Sequence, residues 1–206
     1  RLDMAIDGER NRVVEVDTVA LPEGPDNPYG NAFTVRETVL ESELGAQRNV
    51  DFDAARFWKI VSADAHNGLG QPTAYKLLPL SPVPTFSGPR SMVAKRAAFM
   101  TRQLWVTAYH RDEMYAAGRY PNQSSGGDGL PAWTAADRPL VDTDIVVWHS
   151  FGLHHIPRPE DFPVQPVTTA GFALHPVGFF SENPALDVPP ARSSMSCCLD
   201  RSDSAP

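Results

Sequence analysis

The chain has 206 residues, 42% of them hydrophobic, and a formal net charge of -7, which is enough apolar material to bury a core in one large domain or two small ones. The acidic balance gives no basic footprint, so nucleic acid is not an expected partner. No apolar run approaches the roughly 18–20 residues a membrane span needs, so no membrane is expected either.

From the start of the chain the apolar period is mostly two. Leu2, Met4 and Ile6 alternate with Asp3, Ala5 and Asp7, and Asp7-Gly8 is a turn signal. The alternation then resumes with Val14, Val16 and Thr18 against Val13, Glu15, Asp17 and Val19. This reads as a β-hairpin. Further extended segments are expected at 33–39, 56–61, 73–78, 104–109, 144–151 and 171–174, where β-branched and aromatic residues suit a pleated, half-buried surface. Helical signals are few: 41–48 (ESELGAQR) can form two turns, weakened by Gly45, and 53–55 can continue something similar.

Three loops are long, at 21–30, 118–130 and 156–166, and loops of that length tend to be functional or disordered. The chain carries 20 prolines, about twice the average share, and they fall between short apolar runs. Residues 191–206 are small and polar and are expected to be a disordered tail. Its Cys197 and Cys198 are the only cysteines. Neighbouring cysteines bridge only with strain, so a free pair is expected and no disulfide framework. Several short strands separated by turn signals argue for an all-β sandwich with little helix. The chain opens with Arg1 inside an apparent strand, with neither an initiator methionine nor a signal peptide. That reads as a fragment, and whether the compartment is cytoplasmic, periplasmic or extracellular is not encoded.

Three of the six histidines, His149, His154 and His155, fall within the run WHSFGLHHIPRPEDFPVQP. Imidazole is the commonest protein metal ligand, and nitrogen donors suit Cu(II), but one histidine alone cannot hold the ion. On the residues alone these three are ordinary polar side chains, a zinc site, or the joint ligands of a small metalloenzyme. Successive strand residues point to opposite faces, so His154 and His155 should not both face one metal. Gly152 can insert a bulge, so parity does not say which of them faces inward. Glu160 and Asp161 could be an acid–base pair, though a loop ion pair with Arg158 is the better reading. Trp58, Trp105, Trp133 and Trp148 read as core or interface residues. GGDG at 126–129 lacks the strand-to-helix context of a phosphate loop.

The segment GLHHIPRPEDFPVQP at 152–166 resembles the one that carries the third copper ligand in the copper-containing amine oxidases, the topaquinone enzymes. RLDMAIDG at 1–8, GPDNPYGNAF at 24–33, KRAAFMTRQLWVT at 95–107, PNQSSGGDGLP at 121–131, DIVVWHSFGL at 144–153 and GFFSENPALDVPP at 178–190 are similar to family segments in the same order. The likeness covers residues 1–190 and is nearest the bacterial members. It implies the C-terminal part of the catalytic β-sandwich domain of a homodimeric primary-amine oxidase. The implied reaction converts primary amines with O2 to aldehyde, ammonia and hydrogen peroxide. In the family pattern the copper ligand stands directly before x-Pro-Arg, which is His155. His154 takes a place usually held by threonine, and His149 is implied to be structural or to lie behind the ligands.

The resemblance further implies that the tyrosine precursor of topaquinone, the catalytic aspartate and the other two copper histidines all precede Arg1, the histidine pair by only a few residues. No catalytic or quinone-binding residue is therefore expected in 1–206, and the fragment alone should be inactive. A second, peripheral cation site for Ca²⁺ or another divalent ion is implied at Asp3 and Asp144 with the main-chain oxygens of Met4 and Ile145. Such oxygen donors suit hard cations. An extended run from Asp144 to His155 reaches at most about 36 Å, so this ion would be structural. The chain departs from the family at Ala5, where some members carry another aspartate, at Phe162 in place of tryptophan, and at Gln165 in place of a methionine near the copper. The rival class is a free-standing β-sandwich binding module without catalysis.

Overall fold

The structure, a computed structural model, describes residues 1–189 other than 82, 121 and 123. The expected disordered tail at 191–206, with Cys197 and Cys198, lies outside the described residues. Among the described residues eight strands form two antiparallel sheets. The first sheet has three strands in the order β1 (Leu2–Met4), β7 (Ile145–His149), β6 (Leu104–Ala108). The second has five, in the order β3 (Phe33–Val39), β2 (Asn11–Ala20), β4 (Phe57–His66), β5 (Pro72–Pro79), β8 (Phe172–Val177). Two short helices, α1 (Met92–Arg96) and α2 (Leu130–Thr134), lie between strands. Among the described residues no helix is long and apolar enough to cross a membrane.

The period-two pattern sets which side chains meet between the sheets. Leu104 and Val106 of β6 and Ile145 and Val147 of β7 pack with Val13, Trp58, Ile60 and Leu77 of the larger sheet in one buried cluster. Their odd- or even-numbered neighbours turn outward. Val14, Val16, Val61 and Ala74 form a second cluster on the outer face of the large sheet. Trp105, Val146 and Trp148 form a third with Leu130 of α2 on the outer face of the small one. Fully burying side chains of this size stabilises by roughly 1.5–3 kcal/mol each relative to exposure.

Two expectations fail. The first hairpin does not form. Asp7 and Gly8 do turn the chain, with φ of 50° and 132°, but β1 pairs with β7 (Leu2↔Val147, Met4↔Ile145) while β2 pairs with β3 and β4. The turn thus passes the chain from one sheet to the other. Asn11 staples it: its side-chain amide donates to the carbonyls of Met4 (3.3 Å) and Gly8 (2.9 Å). The second failure is the helix: 53–55 is a turn rather than a continuation, and 41–48 is not helical either. Its backbone groups bond to other segments instead, with Glu43 N–H donating to Arg138 O and Leu140 N–H to Glu41 O. Glu43 is fully buried and its carboxylate accepts from Ala108 N–H (3.1 Å), Arg138 N–H (3.0 Å) and Arg138 Nε (2.8 Å). A buried charge is stable only when so paired, and that pairing holds the segment in turns.

Candidate metal centre

Beyond the end of β7 the chain runs without regular structure to Arg158, apart from a single bridge at Gly152, then closes a single 3-10 turn, Pro159–Asp161. Proline at the first turn suits such a start because its missing N–H would be unpaired anyway. Asp161 ties the turn together. Its Oδ2 accepts from Arg158 N–H at 2.9 Å and its Oδ1 from Arg158 Nη2 at 2.9 Å, while Asp161 N–H donates back to Arg158 O. The Asp161 side chain is 3% exposed and lies 3.0 Å, through Oδ2, from Nε2 of His155. The two Arg158 hydrogen bonds, from the guanidinium first and then the backbone, hold the Asp161 carboxyl below the usual carboxylate range against the opposing pull of burial, and His155 adds to them. Glu160, beside it, is exposed. The anticipated Arg158 ion pair is made by Asp161 rather than Glu160.

The three histidines do not share a site. His149 is an inward-facing residue of β7, with its ring against Trp58, Phe151 and Phe172 at centroid distances of 6.2, 5.9 and 5.7 Å. Its Nδ1 lies 2.9 Å from Gln103 O, so Nδ1 carries the proton and Nε2 is a buried nitrogen without a hydrogen-bond partner. Burial lowers its pKa, only partly offset by the Gln103 carbonyl, and the ring is neutral. His154 has other partners than His155: its Nε2 is 2.9 Å from Pro84 O and its ring lies 4.4 Å from that of Phe86, on the wall of a cleft of about 500 Å3. Among the described residues no group of three His, Cys, Asp or Glu side chains converges on a point where a metal could sit.

His155 is the histidine whose surroundings suit a ligand. With Nε2–H directed at Asp161, the lone pair of the neutral ring is on Nδ1. That is the carboxylate–imidazole pairing metal-bound histidines usually show. The ring is 29% exposed, in a stretch of chain that is itself exposed. One imidazole does not make a copper site, so further ligands would have to come from elsewhere.

At the opposite end of β7, Asp3 lies opposite Val146, and Asp144 stands two residues before Val146. The two carboxylates are diagonal neighbours on the outer face of the small sheet. Met4 pairs with Ile145 beside them. Burial first, then the negative charges of Glu9 and Asp3, push the Asp144 carboxyl above its ordinary value. Two carbonyls there are engaged: Met4 O by Asn11 (3.3 Å) and Asp144 O by Tyr109 N–H (2.8 Å). Asp3 also pairs with Arg1 at 3.3 Å. Glu9, in the turn after Gly8, is a charge that strand patterning did not single out. Nothing marks it in the sequence except its place beside the Asp7-Gly8 turn.

Comparison with known proteins shows what the chain resembles. A family profile for "Copper amine oxidase, enzyme domain" matches residues 1–195. The chain is 52% identical over 189 residues to a histamine oxidase of Arthrobacter globiformis, covering 92% of the chain and 28% of that protein. It is 44% identical over 205 residues to a primary amine oxidase of Arthrobacter sp. (strain P1), covering 96% and 31%. A crystal structure of a copper-containing benzylamine oxidase from Hansenula polymorpha superposes with a TM-score of 0.81 at 38% identity, over 91% of this chain and 30% of that one. The chain thus spans less than a third of the length of these relatives.

Proposed function

The chain belongs to the copper amine oxidases, as part of their enzyme domain, and from that premise we propose that it supplies one copper-binding imidazole, His155, to a primary-amine oxidase. The observation that carries this reading is the pairing of His155 Nε2 with a buried carboxylate, which leaves Nδ1 for the metal. Copper and topaquinone, when bound, supply the two-electron redox chemistry by which a primary amine, O2 and water become aldehyde, ammonia and hydrogen peroxide.

The chain's own residues orient the ligand. Gly152 N–H donates to Ser81 O (3.2 Å) and Ser150 N–H to Gln103 O (2.9 Å), pinning the strand that leads to His155. The strand β1 pairs antiparallel with β7, Leu2 opposite Val147. Residues preceding Arg1, continued in that register, would run alongside Ser150 and Gly152 toward the same end of the sheet as His155. That is where the two further histidines expected before Arg1 are needed. The homodimer is part of the same proposal, resting on the family resemblance. The preferred amine is left to experiment; the relatives' names span histamine, primary amines and benzylamine.

A second, structural cation is proposed at Asp3 and Asp144 with the main-chain oxygens of Met4 and Ile145, Ca²⁺ being the ion such oxygens suit. Support comes from the raised Asp144 carboxyl, which a divalent cation would relieve.

The test uses the full-length protein. Loaded with copper, it should release peroxide and ammonia from benzylamine, phenethylamine or histamine, and His155→Ala should abolish both along with bound copper. Copper content and turnover unchanged in that variant would refute the assignment.

A further inference from the structure

We propose that His154 is a positioning residue for the metal: it clasps the chain just before His155 to the loop after β5, and so sets where the ligand ring stands. This rests on His155 being the copper ligand and goes beyond it, to the neighbour that anchors the ligand's backbone.

A ligand needs a fixed backbone, and here the sheet ladder does not supply it. Strand β7 ends at His149. From there to Arg158 only Gly152 keeps a bridge, its N–H donating to Ser81 O at 3.2 Å. Beyond that bridge side chains take over. His154 Nε2 lies 2.9 Å from Pro84 O. A carbonyl only accepts, so Nε2 carries a proton and donates it. The same ring packs on Phe86, with centroids 4.4 Å apart and planes tilted by 45°. One exposed side chain thus holds the loop twice, by a hydrogen bond and by a ring contact. The loop is a firm anchor. It leaves β5 at Pro79, which pairs with Phe172 of β8, and the hydroxyl of Ser81 accepts from Gly171 N–H at 3.0 Å. The next imidazole, His155, is tied instead to Asp161 of the 3-10 turn. Two successive side chains therefore bind two different loops, and the peptide between them is held from both. A group locked in this way needs little reordering when the metal arrives. In the family pattern this place is usually threonine, which has no ring to lay against Phe86, so the double hold belongs to the histidine.

The experiment is copper affinity of the metal-free full-length protein, titrated with CuSO4 against a competing chelator, together with the EPR spectrum of the loaded protein. His154→Ala removes both holds. We expect about a tenfold loss of affinity, the low end for groups behind metal-bound histidines, and altered nitrogen hyperfine structure. His154→Gln keeps a side-chain N–H for Pro84 O and should recover part of the affinity. Phe86→Ala removes the ring contact from the other side. It should weaken copper binding too, and its effect should not add fully to that of His154→Ala, as for residues in contact. If His154→Ala lowers only the thermal midpoint of the apoprotein, with affinity and spectrum as in the wild type, His154 is a loop staple and the proposal fails. Complete loss of copper in that variant makes His154 a ligand and equally overturns it. Should the variant not accumulate, Phe86→Ala decides, at a residue 76% exposed; unchanged binding there overturns the proposal. His155→Ala run in parallel separates the two ideas. Loss of copper there with wild-type affinity in the His154 and Phe86 variants defeats the positioning role alone; retention in His155→Ala defeats the ligand assignment itself.

Discussion

Asp17 sits on the inner face of β2 with its side chain 5% exposed, and two guanidiniums make that burial tolerable. Arg56 donates from Nε (2.7 Å) and Nη2 (3.0 Å), and Arg36 from Nη2 (3.0 Å). The Arg56 hydrogen bond is the largest influence on its carboxyl and holds it below the usual range, against burial and with help from Arg36. Asp17→Asn should destabilise the full-length protein by about 1.5–3 kcal/mol, mostly through Arg56, because Arg36 is largely solvent-screened. A carboxyl depressed by folding stabilises above its unfolded value and loses that effect as the pH falls through its folded one. The gap in thermal midpoint between wild type and variant should therefore be full near neutrality and shrink below about pH 4. A gap independent of pH would contradict the account. Residue roles of this kind were unevenly legible. His155 stands out because the His-x-Pro-Arg pattern marks it. Asp161 was legible as a partner for Arg158 but not for His155, since a carboxylate several residues downstream reaches back to that ring only through a turn that has no periodic signature. His149 could be assigned to the core once its strand parity with Ile145 and Val147 was known, but the sequence does not say which parity faces in.

Strands β1 to β8 were readable from alternation and β-branched composition, because a half-buried pleated surface imposes a period of two. Partner choice was not readable. The same Asp7-Gly8 signal that opens a hairpin in one context here carries the chain between sheets, and only the long-range pairing of Leu2–Met4 with Ile145–His149 distinguishes the two. The five-residue helices α1 and α2 are too short to establish a helical period. α2 depends instead on Gly129, whose φ of 81° places it in the left-handed region and whose missing Cβ makes room for the Ala116 carbonyl. That carbonyl in turn accepts from Leu130 N–H at 3.0 Å, and Leu130 anchors the outer cluster against Trp105 and Trp148. Gly129→Ala should destabilise by about 1–3 kcal/mol, read as a lowered thermal midpoint; an unchanged midpoint would show that the loop simply shifts.

As a whole the sandwich is well packed inside and open outside. All seven residues of β3 are exposed, Phe33 at 70%, and the His155 ring is partly exposed with no group of three metal-binding side chains around it among the described residues. A part of a larger enzyme domain would present such surfaces to the remainder of its polypeptide. At this scale the peripheral cation is expected to act on stability alone. Calcium removal by EGTA should lower the thermal midpoint of the full-length protein, readdition should restore it, and Asp144→Asn should remove the response; no response in the wild type would eliminate that site. The central claim, that His155 is a copper ligand, is tested most directly by EPR of the copper-loaded full-length protein. The account predicts a type-2 Cu(II) signal in the wild type that is lost or grossly altered in His155→Ala. The same signal in both proteins would contradict it.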